Sequence, residues 1–505
     1  MSRISKSVEC WRGEAERERE RERERERTCV LLAPQQIYNM AEETPEVVGL
    51  REKEADVGMD TSDEPKTERR SRLLRQTGLV MIVTLCYFSL GAALPWPSPA
   101  LSSLAENNAT LFGVQISLNS AEKDMTGSLM YLGTLVGAWV SGWLVAKVGR
   151  RLSLQISVVP FLGGWLIVAL TPSTPVLLIG RFIIGIACGA CTIAGYAYVI
   201  ELSDMSIRGM MATLPTMGVV LGGLYTVSLG YALPWHYLSL VCAVPPLLFF
   251  FASFLLPVSP SFLVVQGRRQ QAIIILRSLR GNYADVEGEV AELERRNAGT
   301  TDGKNSGWRA LLERDVMRRI AVVTMLFFLM QMCGNFVFMI YTARILEATG
   351  APMDPDAITA IAGALRVAGT LAAIFLLDIV GRRYLLVITH ASNATCLIIL
   401  GVYVYLAERA APDDPIFQQF IGDIGIHPVP YIVSSEYFPT SIRPQASSVC
   451  ISAGTVITFA TLQLYSPMQA TLTQAGLYFF YGAVSFVGVI FSFFAVIETK
   501  GKNVG

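Results

Sequence analysis

Arg366, Asp423 and His427 are ionisable side chains that stand inside apolar stretches of this 505-residue sequence. A guanidinium among apolar side chains is costly, so it either pairs with a carboxylate or lines a polar cavity. Asp378, on the same run as Arg366, would lie about 18 Å away along a helix. Asp423 and His427 are therefore the nearer partners by type. Arg366 has two readings: an ion pair with Asp423, or a cationic contact for an anionic or polar solute. With 3 histidines and no Ser/His/Asp or metal-ligand spacing, the sequence offers no catalytic centre, no cofactor site and no metal site. Cys188 and Cys191 form a C-x-x-C among the 9 cysteines, but within an apolar run and without further ligands. Small packing residues account for them. No cysteine falls in the outer loops, and no disulfide is expected.

More charge gathers at short turns, and it repeats. Gly142–Arg151 (GWLVAKVGRR) ends one apolar run and Leu152 starts the next; Asp378–Arg383 (DIVGRR) does the same before Leu385. Glu201–Arg208 (ELSDMSIR) is echoed by Glu436–Arg443 (EYFPTSIR). Both pairs are offset by about 230 residues, which reads as one internal duplication.

The elements that position these turns are apolar. The chain is 52% hydrophobic and 16% charged, with mean hydropathy +0.45. A soluble domain carries about 25% charged residues, so this composition indicates a membrane protein. Formal net charge is zero, which argues against a nucleic-acid partner. Twelve apolar runs are long enough to cross a bilayer, at 78–101, 126–146, 152–170, 174–200, 209–232, 237–257, 319–346, 357–378, 384–407, 417–435, 446–468 and 474–497. The expected units are a cytoplasmic tail without packed structure (1–75), a six-helix bundle (76–257), a cytoplasmic central segment with short helices (258–318), a second six-helix bundle (319–497) and a short cytoplasmic tail (498–505). The first tail alternates Glu and Arg from Glu16 to Arg27, which places like charges at i,i+4 and opposite charges at i,i+3. No cleavable signal peptide is expected at the start.

Lys and Arg set the orientation. The tails, the Lys147–Arg151, Arg208, Arg382–Arg383 and Arg443 turns and the central segment share one side, the cytoplasm. Asn108-Ala-Thr110 then falls in the first outer loop as a glycosylation sequon at Asn108. Asn393-Ala-Thr395 fits the same pattern inside a span. Gly133, Gly137 and Ser141 line one face of the second span, and Gly185 and Gly189 one face of the fourth; such faces let helices approach closely in lipid. Pro95 and Pro97 interrupt the first span, Pro428 and Pro430 the tenth. Broken backbone at membrane depth is tolerated where it lines a cavity, so both spans are candidates for a translocation path.

In order along the chain, several strings resemble the sugar porter branch of the major facilitator superfamily. They are the Gly142–Arg151 turn, Gly180–Gly185 (GRFIIG), Glu201 with Arg208-Gly209, Pro257–Pro260 (PVSP) with Gly267-Arg268, and Asp378 with Gly381–Arg383. The rest are Pro428–Pro430 (PVP) with Glu436–Pro439 (EYFP), and Glu498–Gly501 (ETKG). Gly91–Leu101 and Leu214–Thr216 (LPT) look like the facilitated trehalose transporter-like members. The resemblance implies an all-α membrane protein in the major facilitator fold, twelve transmembrane helices in two pseudo-symmetric six-helix bundles, that works by alternating access. It implies that Arg150, Arg151, Glu201 and Arg208, with Asp378, Arg382, Arg383, Glu436 and Arg443, form an inner-face charge network between the halves. Ion pairs there would hold the inner gate shut; the alternative is helix-end anchoring by basic residues.

For the solute, the family's usual Gln-Gln-x-x-Gly-x-Asn reads Met330-Gln331-Met-Cys-Gly334-Asn335 here. Asn335 comes one place early, a turn of about 100° round an unbroken helix. Tyr431 stands at the usual Trp and Gly454 at the usual Asn. A sugar site needs amides and an aromatic platform, so the implied set is Gln331, Asn335, Tyr431 and Thr216, with Arg366 added from its place in the membrane. The proton-coupled sugar porters carry an acid in the first span; residues 78–101 contain no Asp, Glu, Lys or Arg. The expectation is facilitated diffusion of a small polar solute, a sugar such as trehalose or a hexose first, through a multi-pass monomer in the cell membrane. The alternatives are an organic anion taken by Arg366 and a sugar sensor that no longer transports. A membrane enzyme is discounted.

Overall fold

A computed structural model describes residues 66–106, 109–204, 207–281, 284–301, 313–339, 355–407, 430, 437–438 and 443–496. These are almost entirely helical, and the described residues contain no strand beyond one bridge between Ala109 and Gln115. The first half holds α1 (Lys66–Ala93), α2 (Pro97–Glu106), α3 (Ser120–Val148), α4 (Arg150–Ala169), α5 (Thr174–Leu202), α6 (Arg208–Gly230), α7 (Trp235–Cys242) and α8 (Val244–Ala252). Then come α9 (Pro260–Val265), α10 (Arg269–Arg280) and α11 (Val286–Thr301). The second half holds α12 (Arg314–Met332), α13 (Pro355–Val380), α14 (Arg382–Ala407), α15 (Arg443–Gln463) and α16 (Tyr465–Ala495).

Local signals explain the main boundaries. Asn119 and Glu122 close a reciprocal capping box at the start of α3, at 2.8 and 2.9 Å. α3 ends at Gly149, whose φ of +82° favours glycine, and α4 begins at the next residue. Gly381, at φ +91°, makes the same turn between α13 and α14, so the duplicated basic motif is one repeated backbone event. Pro95 and Pro97 separate α1 from α2, as their lack of an N–H requires.

The two small-residue faces pack on each other. A Cβ at Gly133, Gly137, Gly185 or Gly189 would lie 2.0–2.1 Å from a carbonyl oxygen of the facing helix. Ser141 donates to Ala190 O at 3.0 Å along the same seam. Here α3 and α5 meet backbone to backbone, with only glycine admitted at the crossing. One apolar core draws on residues between Val80 and Leu279, and a second on residues between Val316 and Val496 together with Tyr131. α3 meets α15 and α6 meets α13 between them. Ser128 Oγ donates to Gln463 Oε1 at 3.0 Å, and Trp139 Nε1 to Ser452 Oγ at 3.2 Å, both across the α3–α15 seam.

Among the described residues, nine helical stretches are long and apolar enough to cross a membrane, and Ile361–Ala373 is a shorter apolar helix. Four sequence boundaries shift. Residues 66–75, expected in the unpacked tail, are the first turns of α1, and Arg72 there pairs with Asp204. The seventh span is not continuous: α12 ends at Met332 and a helix resumes at Asn335 after Gly334, φ +87°. The eleventh stops at Gln463, and α16 starts at Tyr465 with a kink at Thr473, near the expected start of the twelfth. Pro245 and Pro246 open α8, so the sixth span is two helices joined end to end. Apart from Pro430, the tenth span, with Asp423, His427, Pro428 and Gly425, lies outside the described residues.

Candidate functional site

Two of the residues expected to bind solute, Gln331 and Asn335, sit at the break after α12. Gln331 is 2% exposed, and among the described residues its Oε1 has no hydrogen-bond partner. A buried amide oxygen left unpaired costs free energy unless a ligand or water completes it. Asn335 is also buried, at the first residue of the resumed helix. A Cβ at Gly334 would lie 2.9 Å from the Tyr481 ring, so both dihedral and space demand glycine. The 100° displacement expected for Asn335 assumed an unbroken helix, and the helix is broken at Gly334.

The first half presents its own break between α1 and α2. Thr226 Oγ on α6 donates to Ala92 O at 2.9 Å, and Arg181 Nη1 on α5 to Ala93 O at 3.0 Å. Arg181 Nε donates to Thr126 O at 3.0 Å, and its guanidinium lies 5.2 Å from the Trp96 ring centre. Arg181 is fully buried, yet no acid is needed to hold it: carbonyl dipoles and an aromatic face supply the negative potential. Thr216, half-buried on α6, shares a 3.2 Å hydrogen bond with Tyr196, whose ring stands edge-on to Tyr87.

A charge cluster closes one end of this half. Arg150 Nη2 meets Glu201 Oε1 at 3.0 Å, and Ser259 Oγ donates to Glu201 Oε2. Arg280 donates to Leu202 O and Glu201 O at 3.1 and 3.2 Å and pairs with Glu289 at 3.2 Å. Arg72 pairs with Asp204, and Gln76 bridges Asp204 N and Leu279 O at 3.1 and 2.6 Å. Arg151 donates to Phe254 O at 3.2 Å. In the second half Arg383 donates to Phe493 O and lies over that ring, and Arg382 opens α14 half-buried. The Arg150–Glu201 pair thus fastens α4 to α5 within the first half.

A family profile described as "Sugar (and other) transporter" matches residues 79–504. The chain belongs to that family. The chain is 27% identical over 443 residues to the facilitated trehalose transporter Tret1 of Apis mellifera ligustica, covering 86% of this chain and 87% of that protein. It is 28% identical over 431 residues to Tret1 of Drosophila grimshawi, covering 83% of this chain and 46% of the relative, so the chain spans about half the length of that protein. Among solved structures, the proton:xylose symporter XylE bound to 6-bromo-6-deoxy-D-glucose superimposes with a TM-score of 0.72 at 23% identity, covering 85% of this chain and 97% of that one. The inward-open form of XylE from E. coli gives 0.68 at 22%, covering 84% and 97%. These likenesses establish the fold: the chain is an all-α, multi-pass membrane protein with the fold of these major facilitator superfamily structures.

Of the residues singled out from the sequence, the structure brings Gln331 and Asn335 together at one break and Arg150 and Glu201 into one pair. Arg366 is buried within α13, and Thr216 lies on α6 in the first half. Asn108, Tyr431 and Glu436 lie outside the described residues, as do the side chains of Arg208, Asp378 and Arg443. Arg181 went unremarked as a site residue, although an arginine inside the apolar run 174–200 carries the same signal as Arg366. Arg280, Ser259 and Asp204 were also missed; each sits in a polar segment where charge is ordinary.

Proposed function

We propose that the transporter moves a small sugar down its gradient across the cell membrane by alternating access, with trehalose and hexoses as the first solutes to test. The buried Gln331 amide, open on its oxygen at a break in the second half, carries the reading, because a sugar hydroxyl is the donor it lacks. The relatives named as facilitated trehalose transporters support the class, and their name does not favour an organic anion. Gln331, Asn335, Thr216, Arg366 and Tyr431 face the solute. Arg150, Arg151, Glu201 and Arg208, with Asp378, Arg382, Arg383, Glu436 and Arg443, secure the cytoplasmic gate, with both tails on that side. Asn108 carries a glycan outside. The two six-helix units, 76–257 and 319–497, rock as bodies within one monomer.

Uniport is supported by a first span without an acid and by Arg181, whose partners are main-chain carbonyls. Uptake of radiolabelled trehalose, hexoses and organic anions into vesicles tests the reading. Saturable sugar uptake that stops at equal concentrations and ignores a protonophore is expected. Uphill uptake abolished by a protonophore, or uptake of anions alone, would overturn it.

A further inference from the structure

We infer that Asn393 is a positioning residue for the solute site, holding the break that presents Gln331 and Asn335. The inference rests on the sugar-transport reading and deepens it. A helix interrupted in lipid releases carbonyls that must find other donors. At this break Cys333 Sγ donates to Met330 O at 3.0 Å, and Asn393 Nδ2 donates to Cys333 O at 3.4 Å. The other Asn393 amide hydrogen goes to Ser485 Oγ at 2.8 Å. One nitrogen therefore ties three segments: α14, which bears Asn393, α16, which bears Ser485, and the turn after α12. Using both hydrogens fixes the plane of the amide and with it the place of the carbonyl it holds.

Packing alone does not call for this residue. An amide 2% exposed between apolar helices costs more than an aliphatic side chain of the same size unless it is bonded. Bonding to Ser485 would have satisfied α14 and α16; the further bond reaches the break itself. The same burial removes Asn393 from the reach of glycosylation, although its sequon is intact. The first half treats its interruption alike, with Thr226 and Arg181 on the freed carbonyls of Ala92 and Ala93. Gly334 sets the direction of the resumed chain against the Tyr481 ring, and Asn393 sets how far it stands from α14.

The test uses the full-length chain in lipid or detergent with Asn393→Leu, which keeps the size and removes both donors. Hydrogen exchange of the amides at 333–337 should speed by about tenfold, with exchange along the rest of α14 unchanged. The half-saturating concentration of trehalose should rise about tenfold while the maximal rate changes by less than about twofold. In a Gln331→Ala background the same substitution should raise it by less than about twofold, because the group being positioned is gone. Unchanged exchange at the break, or an equal rise in both backgrounds, overturns the inference. The exchange measurement involves no solute, so it stands whether or not the parent chain takes up sugar. If Asn393→Leu does not fold, Ser485→Ala is measured the same way: about a threefold rise is expected from a loosened amide, and no change in exchange or half-saturation overturns the inference.

Discussion

Gln331 and Arg181 are both buried in apolar surroundings, and each keeps one polar atom without a partner among the described residues, Oε1 and Nη2. Gln331 has its open acceptor at a helix break, whereas Arg181 gives hydrogen bonds to two main-chain carbonyls from Nε and Nη1. Replacing Gln331 with Leu should weaken sugar binding by about tenfold or more while leaving thermal stability equal or higher without sugar, since an unsatisfied acceptor is removed. Uptake and melting of the two proteins check both halves of that statement. Arg181→Leu should do the reverse: about 3 kcal/mol of stability lost, because Ala93 O and Thr126 O lose charged donors, with unfolding in detergent as the measurement. Both residues were visible as polar letters in apolar runs. Their conditions were not, since only packing decides which atoms meet. Asn393 was harder still: its letters spell a sequon, and its role depends on a carbonyl 60 positions away in sequence.

At the scale of elements, the α3–α5 crossing depends on four glycines whose added Cβ would sit 2.0–2.1 Å from facing carbonyls. Backbone at that distance cannot give way as a side chain can. Gly137→Ala or Gly185→Ala should destabilise the first half by about 2 kcal/mol or more. Gly142→Ala and Gly163→Ala, with nothing within 4 Å of the added carbon, should be neutral or slightly stabilising. Comparable losses at all four positions in a melting experiment would refute the crossing. Most of these helices were legible because a bilayer imposes long apolar runs ended by charge. The paired faces followed from i,i+4 spacing. The break at Gly334 was not legible, since glycine within a membrane span is common and reads equally as packing. The junction of α7 and α8 was hidden for a related reason: Pro245 and Pro246 sit where a helix can begin, so the apolar run continues through it.

For the whole molecule, the contact between halves along α3 and α15 is polar at two levels. Ser128–Gln463 and Trp139–Ser452 are separated by the same number of residues on both helices, about 16 Å of rise. Rocking about the middle of that seam would strain one bond while sparing the other. Ser452→Ala should therefore shift the resting population toward opening at the charge-cluster end, and Gln463→Ala toward opening at the opposite end. A single neutral-to-neutral hydrogen bond is worth about 1 kcal/mol, so each shift should be about fivefold. Spin-label distances between the halves at both ends measure it, and a shift in the same direction for both variants would refute the pivot. The duplication was readable from the repeated turns, which the structure gives as Gly149 and Gly381 in matching backbone states. The seam was not, because its partners lie in different halves and share no motif.

The polar helices after α8 are fastened to the first half at several points among the described residues. Arg280 holds the carbonyls at the end of α5, and Arg75 and Gln76 on α1 donate to Ser278 O and Leu279 O at 3.2 and 2.6 Å. A small core of Leu263, Val264, Ala272, Leu276, Val286 and Val290 stiffens α9, α10 and α11 against one another. Such an appendage behaves as the needle of a gauge: bolted to one body, it sweeps past the other whenever they tilt. A dye on the exposed Arg269 and its acceptor on the exposed Tyr384 at the start of α14 would then convert each turnover into a change of brightness, giving a real-time record of the cycle without touching the path the solute takes.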